Sequence, residues 1–233
     1  MNKIIALVIF FTAFIVGLNN AFARGGGGGH SLGGGLILAT PSQDDLDTHI
    51  SAVNSAQSVN IDKFGSALEI FIDYQYRFSG TMFALQFRPS YFTQSTDGSG
   101  YNMGLTGFTV FPLLRLYPLE NGFIHFFLQT GIGYGKLSGH INQPQANVSF
   151  SGGTFGALAG LGAEFCFTDE HCMVIEGNLR YLPVERNIIS STSGTLQGNL
   201  GTPSNDDELE YNNSDLKTTL SGIQGILSYQ YNF

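Results

Sequence analysis

The feature that most constrains this chain is an alternation of period two. In residues 67–78, Leu68, Ile70, Ile72, Tyr74, Tyr76 and Phe78 occupy even positions, while Glu69, Asp73, Gln75 and Arg77 occupy odd ones. Successive side chains point to opposite faces only in an extended strand, so this segment reads as a strand with one oily and one polar face. Phe83, Leu85, Phe87, Pro89 and Tyr91 repeat the pattern against Gln86, Arg88 and Ser90. Ile223, Leu227, Tyr229, Tyr231 and Phe233 repeat it against Gln224, Ser228, Gln230 and Asn232. Beyond residue 23 no apolar run reaches the roughly 18 residues of a membrane helix. Composition points the same way: 31 Gly and a charged fraction of only 12% suit helices poorly, and 20 Phe with 10 Tyr suit strands.

Eight such segments follow along the chain, at 32–40, 62–78, 81–94, 104–119, 122–139, 154–168, 171–186 and 216–233. The connections between them alternate in length. Ser79-Gly80, Glu120-Asn121 and Asp169-Glu170 read as tight hairpin turns, and the stretches 41–61, 95–103, 140–153 and 187–215 as long polar loops. Short turns at one end and long loops at the other describe an all-β, up-and-down antiparallel barrel. Ahead of it, Lys3, the apolar run Ile4 to Leu18 and the small-x-small triplet Ala21-Phe22-Ala23 have the form of a secretory signal over residues 1–23. The barrel then spans 24–233, with a Gly-rich lead at 24–35 that makes the first strand short or displaced.

The direction of the oily face decides what such a barrel is for. Tyr74, Phe83, Phe87, Tyr91, Phe108, Phe126, Tyr134, Phe155 and Tyr229 share it, and an eight-stranded lumen has no room for that aromatic volume. Turned outward, the same residues face lipid, which makes the barrel transmembrane. The inward parity then collects Glu69, Asp73, Arg77, Arg88, Arg115, Glu164, Glu176 and Arg180, with His125, Gln129, Asn178 and Gln230. Unpaired charge is costly in a narrow lumen, so four Arg and four carboxylates predict a packed ion-pair network that plugs it. Inward glycines at 131, 133, 135, 156, 160 and 162 either leave space for long Arg side chains or relieve curvature. Phe71, Phe111, Leu113, Phe127 and Leu158 also point inward and would suit a narrow conduit for small or apolar solutes.

A net charge of −8 leaves no general basic surface, which excludes nucleic acid as a partner. Cys166 and Cys172 flank the turn Asp169-Glu170 on one parity and are expected to form a hairpin disulfide; a metal site with His171 is the sharper alternative, one ligand short of a structural zinc site. No metal or other cofactor is expected. The acidic groups Asp44, Asp45 and Asp47, and Asp206, Asp207, Glu208, Glu210 and Asp215, read as solvated loops.

The signal segment, the turn and loop alternation, the aromatic strands and the ending Leu227-Ser228-Tyr229-Gln230-Tyr231-Asn232-Phe233 together resemble the small eight-stranded outer-membrane β-barrels of Gram-negative bacteria, the OmpA, OmpX, OmpW and opacity-like group. The resemblance implies an outer-membrane location and contact with membrane lipid and lipopolysaccharide. It also implies that Tyr229, Tyr231 and Phe233 form the signal read by the barrel-assembly machinery, and that the chain works as a monomer. An extracellular ligand or host surface fits the same group. Some barrels of this architecture are enzymes with a His beside a Ser nucleophile or carboxylates at the outer rim. Here His30, His49, His125, His140 and His171 are scattered, and only His140 has hydroxyls nearby, at Ser138 and Ser149, so no catalytic residues and no enzymatic activity are expected. The function reads as structural and surface-interacting, with a narrow OmpW-like channel as the alternative.

Overall fold

The computed structural model describes residues 29–196, 200 and 204–233; the expected signal segment 1–23 lies outside the described residues. In chain order the elements are β1 (Gly29–Thr40), α1 (Asp44–Gln57), β2 (Ala67–Arg77), β3 (Phe83–Gly98), β4 (Tyr101–Glu120), β5 (Ile124–Gln143), β6 (Ala146–Cys166) and β7 (His171–Tyr181). Then come β8 (Pro183–Val184), β9 (Ile188–Ser193), β10 (Glu210–Tyr211), β11 (Ser214–Asp215), β12 (Thr218–Thr219) and β13 (Gly222–Asn232). Strands β1 to β7 pair in sequence order and β13 closes the ring between β7 and β1, with Leu36 opposite Leu227 at the seam. The result is a closed antiparallel eight-stranded barrel. Among the described residues no helix is long and apolar enough to cross a membrane.

The first strand is longer than the 32–40 expected, because β1 begins at Gly29 and takes Gly29–Gly35 into the wall. A Cβ on Gly33 would lie 2.5 Å from the Asp73 carboxylate, so part of the glycine lead makes room for a lumen side chain. The hairpin turns at one end occupy 78–82, 121–123 and 167–170, slightly wider than the two-residue turns expected. At the other end two of the four expected long loops, 95–103 and 140–153, are strand. There β3 and β4 meet through Ser99-Gly100, and β5 and β6 through Pro144-Gln145. Ser99 and Gly100 both take positive φ, 52° and 83°, as a two-residue hairpin turn requires. The other two connections are long, and their described residues are folded.

Strands β3 to β6 therefore rise well above β1, β2, β7 and β13, and the alternation changes sign as they rise. On the outer face Phe83, Leu85, Phe87 and Tyr91 of β3 give way to Thr93, Ser95 and Asp97. Likewise Phe126, Leu128, Ile132 and Tyr134 of β5 give way to Lys136, Ser138 and Asn142. On the inner face Arg115 and Gln129 are succeeded by Met103, Leu105, Leu137, Ile141, Val148 and Phe150, all buried. Below the change the wall is oily outside and polar inside; above it the wall is polar outside and oily inside. The outward apolar stretch covers about ten residues per strand, and at ~3.3 Å per residue and a ~40° tilt that is roughly 25 Å, the height of a hydrocarbon band.

The elevated inner face is covered by α1 and by the described residues of 182–221, namely 182–196, 200 and 204–221. Helix α1 carries Asp44, Asp45 and Asp47 in its first turn, where carboxylates oppose the helix dipole, and ends at Ser58 in the left-handed region. Its Leu46, His49, Ile50 and Val53 recur at helical spacing and are buried. The three apolar ones join one core with Leu182, Val184, Ile189, Leu209, Leu216 and Leu220. Side chains stitch the cap together. Gln43 Nε2 donates to the Thr219 carbonyl at 2.8 Å, the Thr219 N–H donates to Gln43 Oε1 at 3.0 Å, and Asp45 accepts the Lys217 N–H at 2.8 Å. Strand β9 extends the wall by pairing with residues 147–151 of β6, where β7 has already ended.

Candidate functional site

Beneath the cap the lumen is filled by ion pairs whose members come from opposite walls. Glu176 on β7 accepts two bonds from Arg88 on β3, from Nη1 at 2.8 Å and Nη2 at 2.7 Å, and a third from Arg115 Nη2 on β4 at 2.5 Å. Gln129 Nε2 donates to the same carboxylate at 2.8 Å. Arg115 is fully buried. It also donates to Gln129 at 2.9 Å and Gln75 at 3.0 Å, lies 3.3 Å from Glu164, and stacks 4.0 Å over the Phe127 ring. Asp73 sits 3.6 Å from Arg88, which lies over the Phe71 ring. Forked pairing of this kind satisfies several donors at once, the condition under which buried charge is tolerated.

A second pair lies apart from this cluster. Arg180 on β7 forks onto Glu69 on β2 at 2.5 and 3.0 Å, and its Nε donates to the Leu220 carbonyl at 2.5 Å. That last bond ties the cap segment to the polar layer. Arg77 joins neither group: it pairs with Glu120 at the turn-end rim, partly exposed, and stacks on Tyr117. Among the described residues the buried lumen charges are thus three Arg against four carboxylates, where four against four was expected. Tyr117 was not singled out in the sequence, yet its hydroxyl donates to Glu164 at 2.5 Å from a fully buried ring. It shares the parity of Arg115 two residues earlier, the signal that could have found it.

The inward glycines hold space mainly for apolar side chains instead of for Arg. A Cβ on Gly133 would meet Phe111, on Gly135 Leu182, on Gly162 Phe127, and on Gly160 the Asn178 amide. Phe71, Phe111, Leu113, Phe127 and Leu158, the residues of the alternative conduit, are all buried, and all but Phe127 join the large core cluster.

Cys166 and Cys172 are disulfide-bonded across the β6–β7 hairpin. His171, the metal ligand considered beside them, points the other way and bonds the Tyr229 hydroxyl on the outer face. Adjacent strand residues take opposite faces, so Cys172 and His171 cannot serve one site. The remaining histidines are dispersed. His30 bonds Tyr74 outside the barrel at 2.6 Å, His49 packs within the cap near Tyr211, and His140 bonds Asn102 at 2.8 Å on the outer face of the raised wall. His125 lines the lumen mouth, 3.5 Å from Glu164. At the chain end Tyr231 stacks on Phe233, and Phe233 on His30, around the β1–β13 seam.

No protein-family model and no curated protein sequence matches this chain. Solved structures do. The chain is similar to the outer membrane protein OprG from Pseudomonas aeruginosa, with 11% identity over 89% of this chain and 97% of that one and a TM-score of 0.55. It is also similar to a major outer membrane protein from Thermus thermophilus, with 13% identity over 88% and 99% of the two chains and a TM-score of 0.54. With the closed ring and the apolar exterior, these matches establish the architecture: the chain is a small eight-stranded β-barrel of the outer-membrane type.

Proposed function

We propose that this protein spans the outer membrane of a Gram-negative cell as a closed barrel, holds a folded cap at the cell surface, and acts as a structural and surface-interaction protein. The observation that carries this reading is that two layers of buried side chains succeed each other along the barrel, a polar one of forked Arg–carboxylate pairs and an apolar one in which α1 packs with Leu182, Val184, Ile189, Leu209, Leu216 and Leu220. Export by the signal segment, insertion through the assembly machinery by way of Tyr229, Tyr231 and Phe233, lipopolysaccharide around the upper band and a monomeric state complete the proposal. The polar outer walls of β3 to β6 and the loops above them are the surface offered to an extracellular ligand or host.

Single-channel recording in planar bilayers tests it. The purified protein gives no conductance steps, and neither does Arg88→Ala, because the apolar layer still closes the path. Steady steps from the unaltered protein would overturn the closed reading and favour the narrow channel for small or apolar solutes.

A further inference from the structure

At the turn-end mouth three potential metal donors meet, His125, Glu164 and Cys166, and a fourth, Cys172, is bonded to the last of them. His125 and Glu164 are directly opposite on β5 and β6, Cys166 follows Glu164 by two on the same face, and Cys172 is opposite Cys166 on β7. The ligand atoms of His125, Glu164 and Cys166 all lie within 4.8 Å of one another. His125 Nδ1 is 3.5 Å from Glu164 Oε2 and 3.8 Å from Cys166 Sγ. A tetrahedral zinc ion with bonds of about 2.0–2.3 Å to N, O and S spaces its ligands roughly 3.3–3.8 Å apart, so two edges of such a tetrahedron already exist. His125 and Glu164 also line a cavity of about 50 Å³ at the mouth, which gives an ion a way in. Asn232 Nδ2 donates to Cys172 Sγ at 3.3 Å.

We propose that reduction of the Cys166–Cys172 disulfide converts this corner into a site for a tetrahedral divalent cation, with both cysteines, His125 and Glu164 as its ligands and zinc as the best fit. The reductant is a dithiol: its two sulfurs join in a new disulfide, and two electrons and two protons pass to Cys166 and Cys172. The cation then displaces the two thiol protons and binds both thiolates, the imidazole and one carboxylate oxygen. In the oxidised protein the sulfurs are spent on each other and supply no thiolate. The metal thus replaces a link between two strands by one that joins β5, β6 and β7.

The test is a Co²⁺ titration of the full barrel in detergent, oxidised and after dithiol reduction with the reagent removed under anaerobic conditions. The reduced protein takes up one Co²⁺ per chain with a thiolate-to-cobalt charge-transfer band and tetrahedral d–d absorption, Zn²⁺ displaces it, and the oxidised protein shows neither band. His125→Ala, which leaves the Arg network untouched, weakens binding about tenfold or more while both thiols still titrate. Two titratable thiols without a tetrahedral cobalt spectrum, or binding unchanged in His125→Ala, would overturn the site.

Discussion

Arg180 and Glu69 offer the cleanest measure of what buried pairing contributes, because their fork stands apart from the Arg88–Arg115–Glu176 cluster. Both side chains are almost wholly inaccessible, at 2% and 0% exposure. Glu69→Leu strips the guanidinium of two charged bonds and leaves it only the Leu220 carbonyl. Arg180→Leu leaves the carboxylate with the Ser90 hydroxyl at 3.0 Å and Gln224 at 3.4 Å. Breaking one side of a buried pair costs about 3–5 kcal/mol, so Glu69→Leu belongs at the upper end of that range and Arg180→Leu at the lower. Replacing both partners by leucine removes the stranded charge, and the double variant is expected within about 2 kcal/mol of the parent. Urea unfolding in phospholipid vesicles, read from the migration difference between unheated and boiled samples on a denaturing gel, gives all three values. A double variant as unstable as the sum of the singles would refute the claim that these residues act as a pair.

Three further outcomes follow from the packing. Gly156→Ala places a Cβ 2.0 Å from the Tyr181 carbonyl and should cost about 1–3 kcal/mol, whereas Gly177→Ala, with nothing within 4 Å, should stay within about 0.5 kcal/mol in the same assay. On the outer wall of β5, Ile132→Arg should cost roughly 2–4 kcal/mol and Ser138→Arg almost nothing, because Ile132 lies in the apolar band and Ser138 above it. In the cap, Ile50→Ala should destabilise by about 2–5 kcal/mol and expose residues 182–221 to protease while the transmembrane strands stay protected.

What could be read from the amino acids was set by where one rule holds. Between Leu68 and Phe78, or Phe83 and Tyr91, period-two alternation has one meaning, and it carries eight strands, the outward aromatics and all seven of the buried lumen charges, with Arg77 the one expected member that stays outside the lumen. At Thr93, Lys136 and Ser151 the same period continues with inside and outside exchanged. A polarity pattern cannot distinguish that from a strand ending, so 95–103 and 140–153 read as loops. Helix α1 escaped because Leu46, Ile50 and Val53 are too few, in a run of Asp, Ser and Asn, to announce a helix without the wall they pack on. The cap leucines between 182 and 220 have no period at all. Ion-pair partners such as Arg180 and Glu69 are 111 residues apart, and barrel shear, which no local pattern encodes, decides who meets whom. His171 is different: its place beside Cys172 on an alternating strand already put it on the wrong face.

The double exchange of polarity along the raised strands is tested most directly by nitroxide labels placed singly at Phe83, Phe87, Tyr91, Ser95 and Asp97 on the outer face of β3, in vesicles, with collision rates for oxygen and a water-soluble nickel complex. Oxygen should dominate at 83, 87 and 91 and nickel at 95 and 97, with the crossover between Tyr91 and Ser95. Nickel-accessible labels at Phe87 would place the aromatic face in water and contradict the account.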